Sequence, residues 1–288
     1  MSALSSFFAN RVAVIATMHR KEDVITPLIE SALGIKTVVP TNFNTDSFGT
    51  FTRETDRPAD QLTTARLKAE AALELTGETL AIASEGSFGP HPQIPFVACN
   101  RELVLLCDYE HQIEVVGEAL STDTNYQSRV VDSPQSALAF ARSVGFPEHG
   151  VVVMHAAGEN PKNAFAKGIT TEADLSQAVT AVLERSPERK AHIETDMRAL
   201  YNPTRMAVIA QATQNLIKTL QQRCPNCNYP GFSIVQRRPG LPCSLCKAPT
   251  LLTLSVLYRC QHCQFQRDKL FPDSLQAADP GRCLYCNP

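Results

Sequence analysis

The chain has no apolar run approaching the roughly 20 residues that would cross a bilayer. Nor does Met1 to Asn10 set a basic stretch before an apolar one, so no secretory signal is expected there. A soluble, cytoplasmic protein with no membrane contact is the expectation. Excess charge of one sign is also lacking, the net charge being −2. Cysteine is scarce through the first 223 residues, where only Cys99 and Cys107 occur. Both lie in the apolar stretch Phe96 to Asp108 and read as buried free thiols. No internal repeat is visible outside the cysteine pairs described below.

What is present is enough apolar sequence, 43% of 288 residues, to build a sizeable core in one large domain or two ordinary ones. The small net charge is unevenly placed. From Gln221 onward, eight Lys and Arg stand against three Asp, while the preceding 220 residues carry 19 basic and 26 acidic side chains. A positive tail on an acidic body suits contact with nucleic acid, with a protein partner, or with the body itself.

The other eight cysteines form four Cys-x-x-Cys pairs: Cys224/Cys227, Cys243/Cys246, Cys260/Cys263 and Cys283/Cys286. The intervals between pairs are 15, 13 and 19 residues. Each pair points two thiolates to one side of a tight turn, and two such knuckles close a tetrahedron around a zinc ion. The expectation is a C-terminal zinc-ribbon module, residues 223–288, holding two structural Zn²⁺ in two four-cysteine sites. Redox dithiols and iron sites are the alternatives. Four closed thiolate sets suit structural zinc, whose binding supplies folding free energy to a segment with little core. Sequential pairing is simplest, the first knuckle with the second and the third with the fourth; an interleaved cross-brace is the other possibility. Strands are expected over Phe232 to Gln236 and Leu251 to Tyr258, with a turn at Arg237 to Gly240 and an exposed His262.

Residues 1–222 read as an α/β body with a mixed sheet. Strands are expected over 11–17, 36–39, 79–83, 150–155 and 191–197, with extended segments at 113–119 and 127–131. Helices are expected over 21–33, 58–75, 134–144, 171–183 and 203–222, from apolar residues recurring at helical period. Ser84 to Pro95 reads as a loop because of its glycines and prolines, with a hairpin through Phe96 to Asp108. Pro40 to Arg57 reads as a long polar loop.

Four polar clusters fall at expected strand ends, where open α/β sheets bind ligands. At the first, His19 and Lys21 stand beside a helix N-terminus that offers N–H groups to an anion. The second is Arg53 to Arg57, with Lys68 interrupting an alanine-rich helix face. The third contains Glu85, Ser87 and His91 among glycines that permit close backbone approach. In the fourth, Glu194, Asp196 and Arg198 alternate onto one face of a strand, before an Asn202-Pro203 helix start and Arg205. Paired carboxylates suit Mg²⁺ or Mn²⁺, and the arginines suit phosphate. The structural alternative is an ion-pair network. A weaker phosphate signal is the loop after His155, with Lys162 and Lys167.

The order of the first three clusters resembles the inosine/xanthosine triphosphatase-like superfamily of house-cleaning nucleotide pyrophosphatases. The residues that carry it are Ala16-Thr17-Met18-His19 with Lys21, then Glu54-Thr55, Lys68-Ala69 and Glu85-Gly86, within residues 11 to 110. His19 stands where that family has asparagine, and Lys21 comes one residue early. The whole arrangement also resembles bacterial proteins with a zinc-ribbon tail. The first resemblance implies a metal-dependent phosphoanhydride hydrolase acting on a nucleotide-like or phosphorylated small molecule. In that resemblance Glu85 would help hold metal or water, and Lys21 and Lys68 would bind phosphates; the Gly-Pro-His-Pro run and residues 194–205 have no counterpart in that family. From the clusters themselves, Glu194 and Asp196 would join Glu85 as catalytic residues, and His19, Ser87, His91, Arg198 and Arg205 would join the lysines in binding substrate. A non-enzymatic anion-binding body is the alternative.

Overall fold

The computed structural model describes residues 3–48, 59–155 and 164–288. The chain divides into two compact units, Met1–Ile217 and Lys218–Pro288.

The larger unit opens with helix α1 (Ala3–Phe7), strand β1 (Val12–Ala16), helix α2 (Glu22–Leu33) and strand β2 (Lys36–Val38). Gly34 ends α2 in the left-handed conformation, its N–H bonded to the Glu30 carbonyl, the expected stop signal. Helix α3 (Gln61–Thr76) starts where Asp60 accepts hydrogen bonds from the Leu62 and Thr63 amides. The expected start, Pro58, lies outside the described residues. Strands β3 (Leu80–His91), β4 (Ile94–Asp108) and β5 (Ile113–Ser121) complete a sheet of order β2-β1-β3-β4-β5. β2, β1 and β3 run parallel, and β4 and β5 are antiparallel additions, so the sheet is mixed.

A second sheet follows. Strand β6 (Ser128–Val131), helix α4 (Pro134–Ser143), strands β7 (Val151–His155) and β8 (Ala164–Ile169), helix α5 (Glu172–Arg185) and strand β9 (Ala191–Thr195) give the order β6-β9-β7-β8, all antiparallel. Phe140 and Ala141 of α4 and Val179 and Val182 of α5 close its core over Val151, Val153 and Ile193. Helix α6 (Pro203–Gln221) leads out of the unit. It lies against β5 at Gly117, where any Cβ would collide with the Ala212 carbonyl oxygen.

Two expectations are corrected here. Ser84 to Pro95 is mostly strand rather than loop, and Phe96 to Asp108 is part of one strand rather than a hairpin. β3 and β4 pair from Leu80↔Asp108 out to Pro90↔Ala98. β1 stops pairing with β3 at Ala83, so beyond it Pro90 sits in a strand with a single partner and its missing N–H is tolerated. Lys167 and Gly168, expected in a loop, belong to β8.

The smaller unit is a three-stranded antiparallel sheet of β10 (Ser233–Pro239), β11 (Thr253–Arg259) and β12 (Gln266–Leu270), in that order. The expected turn at Arg237 is strand as far as Pro239.

Candidate functional site

The four knuckles of the smaller unit share one backbone turn. Amide N–H groups of Asn228, Lys247, Gln264 and Asn287 donate to the carbonyls of Cys224, Cys243, Cys260 and Cys283 at 2.8–3.1 Å. Asn228, Lys247 and Gln264 have φ near +60°, the left-handed turn that folds each knuckle back. Two groups of four thiols result: Cys224, Cys227, Cys260 and Cys263, and Cys243, Cys246, Cys283 and Cys286. The pairing is therefore the interleaved cross-brace, not the sequential arrangement.

Strand pairing is the physical cause. β10 and β11 are antiparallel, with Ser233 opposite Arg259, so the knuckle before β10 meets the knuckle after β11. β12 then carries the chain back along β11, and a bridge between Cys243 and Ala278 docks the last knuckle on the second. Sulfur–sulfur distances across the groups are 3.6–3.8 Å. A tetrahedron with Zn–S of about 2.3 Å has edges of about 3.8 Å, so both groups fit a zinc ion and neither is disulfide-bonded. Phe232, Tyr258 and Phe265 pack on the first group, and His262, exposed as expected, stacks on Tyr229 at 4.2 Å. Cys99 and Cys107 are buried free thiols as expected, and burial pushes the Cys107 thiol up to about 12.

In the larger unit, charged side chains are buried beyond the end of β1, beside the middle of β3. Lys21 precedes α2 and is 7% exposed. Its ammonium donates to the Ser84 carbonyl (3.2 Å) and hydroxyl (3.0 Å), and no carboxylate lies within ion-pair range among the described residues. Burial, with Arg205 and Lys68 nearby, pushes its pKa from 10.5 down to about 7, against the pull of Glu85 and Glu102. Lys68, on the face of α3 with Ala65, Ala69 and Ala72, pairs with the buried Glu85. Arg205 and Glu102, 1% and 0% exposed, form a second pair at 2.8 Å. Arg205 also donates to the Met197 carbonyl, and its guanidinium lies 5.4 Å from the Phe88 ring centre. As expected, Asn202 caps α6, accepting from the Arg205 amide at 2.9 Å.

Gly86 makes the second pair possible. A Cβ there would collide with a Glu102 oxygen and fall 2.6 Å from an Arg205 nitrogen. Glu102 and Asn100 escaped the sequence reading; a Glu within Cys99 to Asp108 on the parity of Val104 and Leu106 was the available signal.

The remaining expected site residues are dispersed. His19 is half-buried beside Thr17, to which its amide donates. Ser87 shares the parity of Glu85 on β3, and His91 sits at the β3–β4 turn, accepting from the Gln93 amide. β9 stops at Thr195, so Glu194, Asp196 and Arg198 do not alternate along one strand. Glu194 is 3.5 Å from His192. Asp196 is buried, and its oxygens accept from the Gly168 amide (3.0 Å), the Arg198 amide (3.0 Å) and the Arg198 guanidinium (2.7 Å). Arg53 to Arg57 and Lys162 lie outside the described residues.

A Mg²⁺ or Mn²⁺ ion does not fit the described donor set. Glu85 is closed by Lys68, Glu102 by Arg205, and Asp196 by Arg198. Three or more His, Cys, Asp or Glu ligand atoms come together only in the two cysteine groups, among the described residues. No helix there is long and apolar enough to cross a membrane.

A family model described as a domain of unknown function, DUF6671, matches residues 68–288. No curated protein matches the chain. The crystal structure of protein VC0702 from Vibrio cholerae covers 72% of this chain and 93% of its own at 10% identity. Its TM-score of 0.31 is too low to argue from. None of these descriptions names an inosine/xanthosine triphosphatase.

Proposed function

The chain belongs to the DUF6671 family, and we propose that its larger unit binds a nucleotide-like or other phosphorylated small molecule beyond the end of β1, beside the middle of β3, while two structural zinc ions brace the smaller unit. Lys21 carries this reading. It is a buried ammonium whose hydrogen-bond partners are the two oxygens of Ser84. Among the described residues no carboxylate pairs with it directly; burying a cation without a paired counter-charge is costly, and a bound anion offsets the cost. Lys68 and Arg205 each already have an acid, so among the described residues three cations stand against two carboxylates and the surplus is positive. Open sheets bind ligands beyond the carboxyl ends of their parallel strands, and β1 ends at Ala16, just before Lys21.

The depressed pKa fixes the pH dependence. Between about 7 and 10.5 the unfolded chain holds a proton that folded Lys21 has lost, so stability without ligand rises with pH across that window. An anion binds the protonated form. Its affinity is therefore expected to be flat below about pH 7 and to weaken above it by up to about tenfold per pH unit. Lys21→Met is expected to gain at least about 1 kcal/mol at pH 6, where the buried charge is fully present, and to lose the thermal shift given by tripolyphosphate. Thermal melts with and without tripolyphosphate across pH 6–9 check both. An unchanged shift in Lys21→Met would remove the basis of the reading.

Phosphoanhydride hydrolysis is the second reading, favoured by the buried Glu85 beside Lys68 in the middle of β3, next to the Ser84 that holds Lys21. Glu85 would take a proton from water as the oxygen attacks phosphorus and the leaving phosphate departs. Nucleoside triphosphates incubated with the protein are then expected to release phosphate or pyrophosphate. Binding without release leaves the protein a binder.

A further inference from the structure

We infer that the larger unit also binds an extended peptide bearing an acidic side chain, laid along the edge of β8 in the cleft between that strand and α5; this stands apart from the phosphate-binding reading above. The cleft has a volume of about 500 Å³. Residues 165–169 of β8 form one wall in unbroken succession, so the cleft follows the course of the strand. β8 is the last strand of its sheet, with β7 on one side and no strand on the other among the described residues. The main chain of such an edge is a template for pairing with a further extended segment. Two bulges in its pairing with β7 bend β8. A peptide that follows the cleft therefore fits this edge better than a flat strand does.

The lining of the cleft selects the occupant. From α5, Asp174, Gln177, Ala178, Ala181 and Arg185 recur at helical spacing and form the other wall. The neighbouring stripe of the same helix, Leu175, Val179 and Val182, is buried in the core. In the middle of the wall Ala178 and Ala181 are small, which leaves depth for an apolar side chain of the peptide. At the end of α5 the Arg185 guanidinium lies 5.2 Å from the Phe165 ring centre. Arg185 and Lys167 set two cations against one carboxylate, that of Asp174, which the Thr171 hydroxyl holds at 2.6 Å. The charge of the cleft thus complements an acidic segment. A second copy of β8 is a poorer match, because Ala164-Phe-Ala-Lys-Gly-Ile169 carries a lysine and no acid. A small carboxylate satisfies the cations but has no main chain to pair with the edge. The six residues of β8 span about 20 Å, so the peptide engages it over about six residues.

The test selects peptides of about ten residues from a random displayed library on the full chain, then titrates the winning peptide, made synthetically, by calorimetry. The winners are expected to share an Asp or Glu and an apolar residue. Binding is expected to slow amide exchange along β8 and not along β6, the opposite edge of the same sheet. Ala181→Leu, which fills the cleft, is expected to weaken binding by about tenfold or more, and Arg185→Glu to do the same. The winner remade with Lys in place of its acid should bind Arg185→Glu better than it binds the wild type. Ala181 is half-buried and Arg185 exposed; Arg185→Glu carries the test if the leucine variant does not fold. Winners without a shared pattern, or a winner whose affinity survives both substitutions, would overturn the inference. Self-association in sedimentation that Ala181→Leu abolishes would place a second copy in the cleft and overturn it as well.

Discussion

Replacing Cys283 with serine will make Cys243, Cys246 and Cys286 reactive toward an alkylating reagent while Cys224, Cys227, Cys260 and Cys263 stay protected. The cross-brace requires this outcome, because Cys283 shares its ion with the second knuckle and not the third. Sequential pairing requires the opposite, with Cys260 and Cys263 becoming reactive and Cys243 and Cys246 staying silent. Mass spectrometry of the alkylated protein reads the difference residue by residue. Zinc content should fall from two ions per chain to one. The effect is large because a four-thiolate zinc site contributes apparent binding free energies of about 10–16 kcal/mol, much of which is folding free energy in so small a unit. The first site should persist, since Phe232, Tyr258 and Phe265 pack on its own cysteines.

This pairing marks the limit of what the sequence can say about the smaller unit. The knuckles were legible because Cys-x-x-Cys at ribbon spacing has few other uses. Their partners were not legible, because four knuckles of one pattern carry no label for which meets which. The antiparallel pairing of β10 with β11 brings the first knuckle to the third, and β12 returns the chain toward the second; β12 is Gln266-Arg-Asp-Lys-Leu270, exposed throughout and without apolar alternation. It forms through backbone pairing to β11 and leaves no hydrophobic trace. In the larger unit, strands and helices with apolar period appeared within a few residues of their expected limits. The β3–β4 ribbon did not, since glycine and proline in Glu85 to Pro95 suggest a loop. Gly86 is needed for a different reason, the seat of a buried ion pair. Lys21 and Glu85 were legible as polar residues at expected strand ends, and Lys68 as the interruption of an alanine-rich helix face. Glu102 and Asn100 were hidden inside an apolar run, and only the cross-strand register reveals that they share the face of Ser84, which holds Lys21.

Arg205→Met is expected to destabilise the larger unit by about 3–5 kcal/mol, the usual cost of leaving one member of a buried ion pair alone. Arg205 is 1% exposed and Glu102 0%, so little solvent screening discounts this figure. The loss has three sources: the pair with Glu102, the hydrogen bond to the Met197 carbonyl, and the contact with Phe88. A double-mutant cycle with Glu102→Met separates the first source from the others. Replacing both partners with apolar side chains removes the stranded charge, so the double variant should recover much of the stability lost by Arg205→Met. Urea unfolding followed by circular dichroism checks the ordering of the four proteins. Gly86→Ala gives an independent test of the same geometry. Its methyl group would collide with a Glu102 oxygen, so it should be costly in the wild type and much less so beside methionines at 102 and 205. If Gly86→Ala costs the same in both backgrounds, the glycine serves the strand itself and not the seat of the pair. The pair spans β4 of the first sheet and the first turn of α6, which follows the last strand of the second. Its rupture should therefore loosen the junction of the two sheets. Amide exchange should rise first at Glu102 and its neighbours on β4, and around Met197 to Arg205, before it rises in the core of α4 and α5.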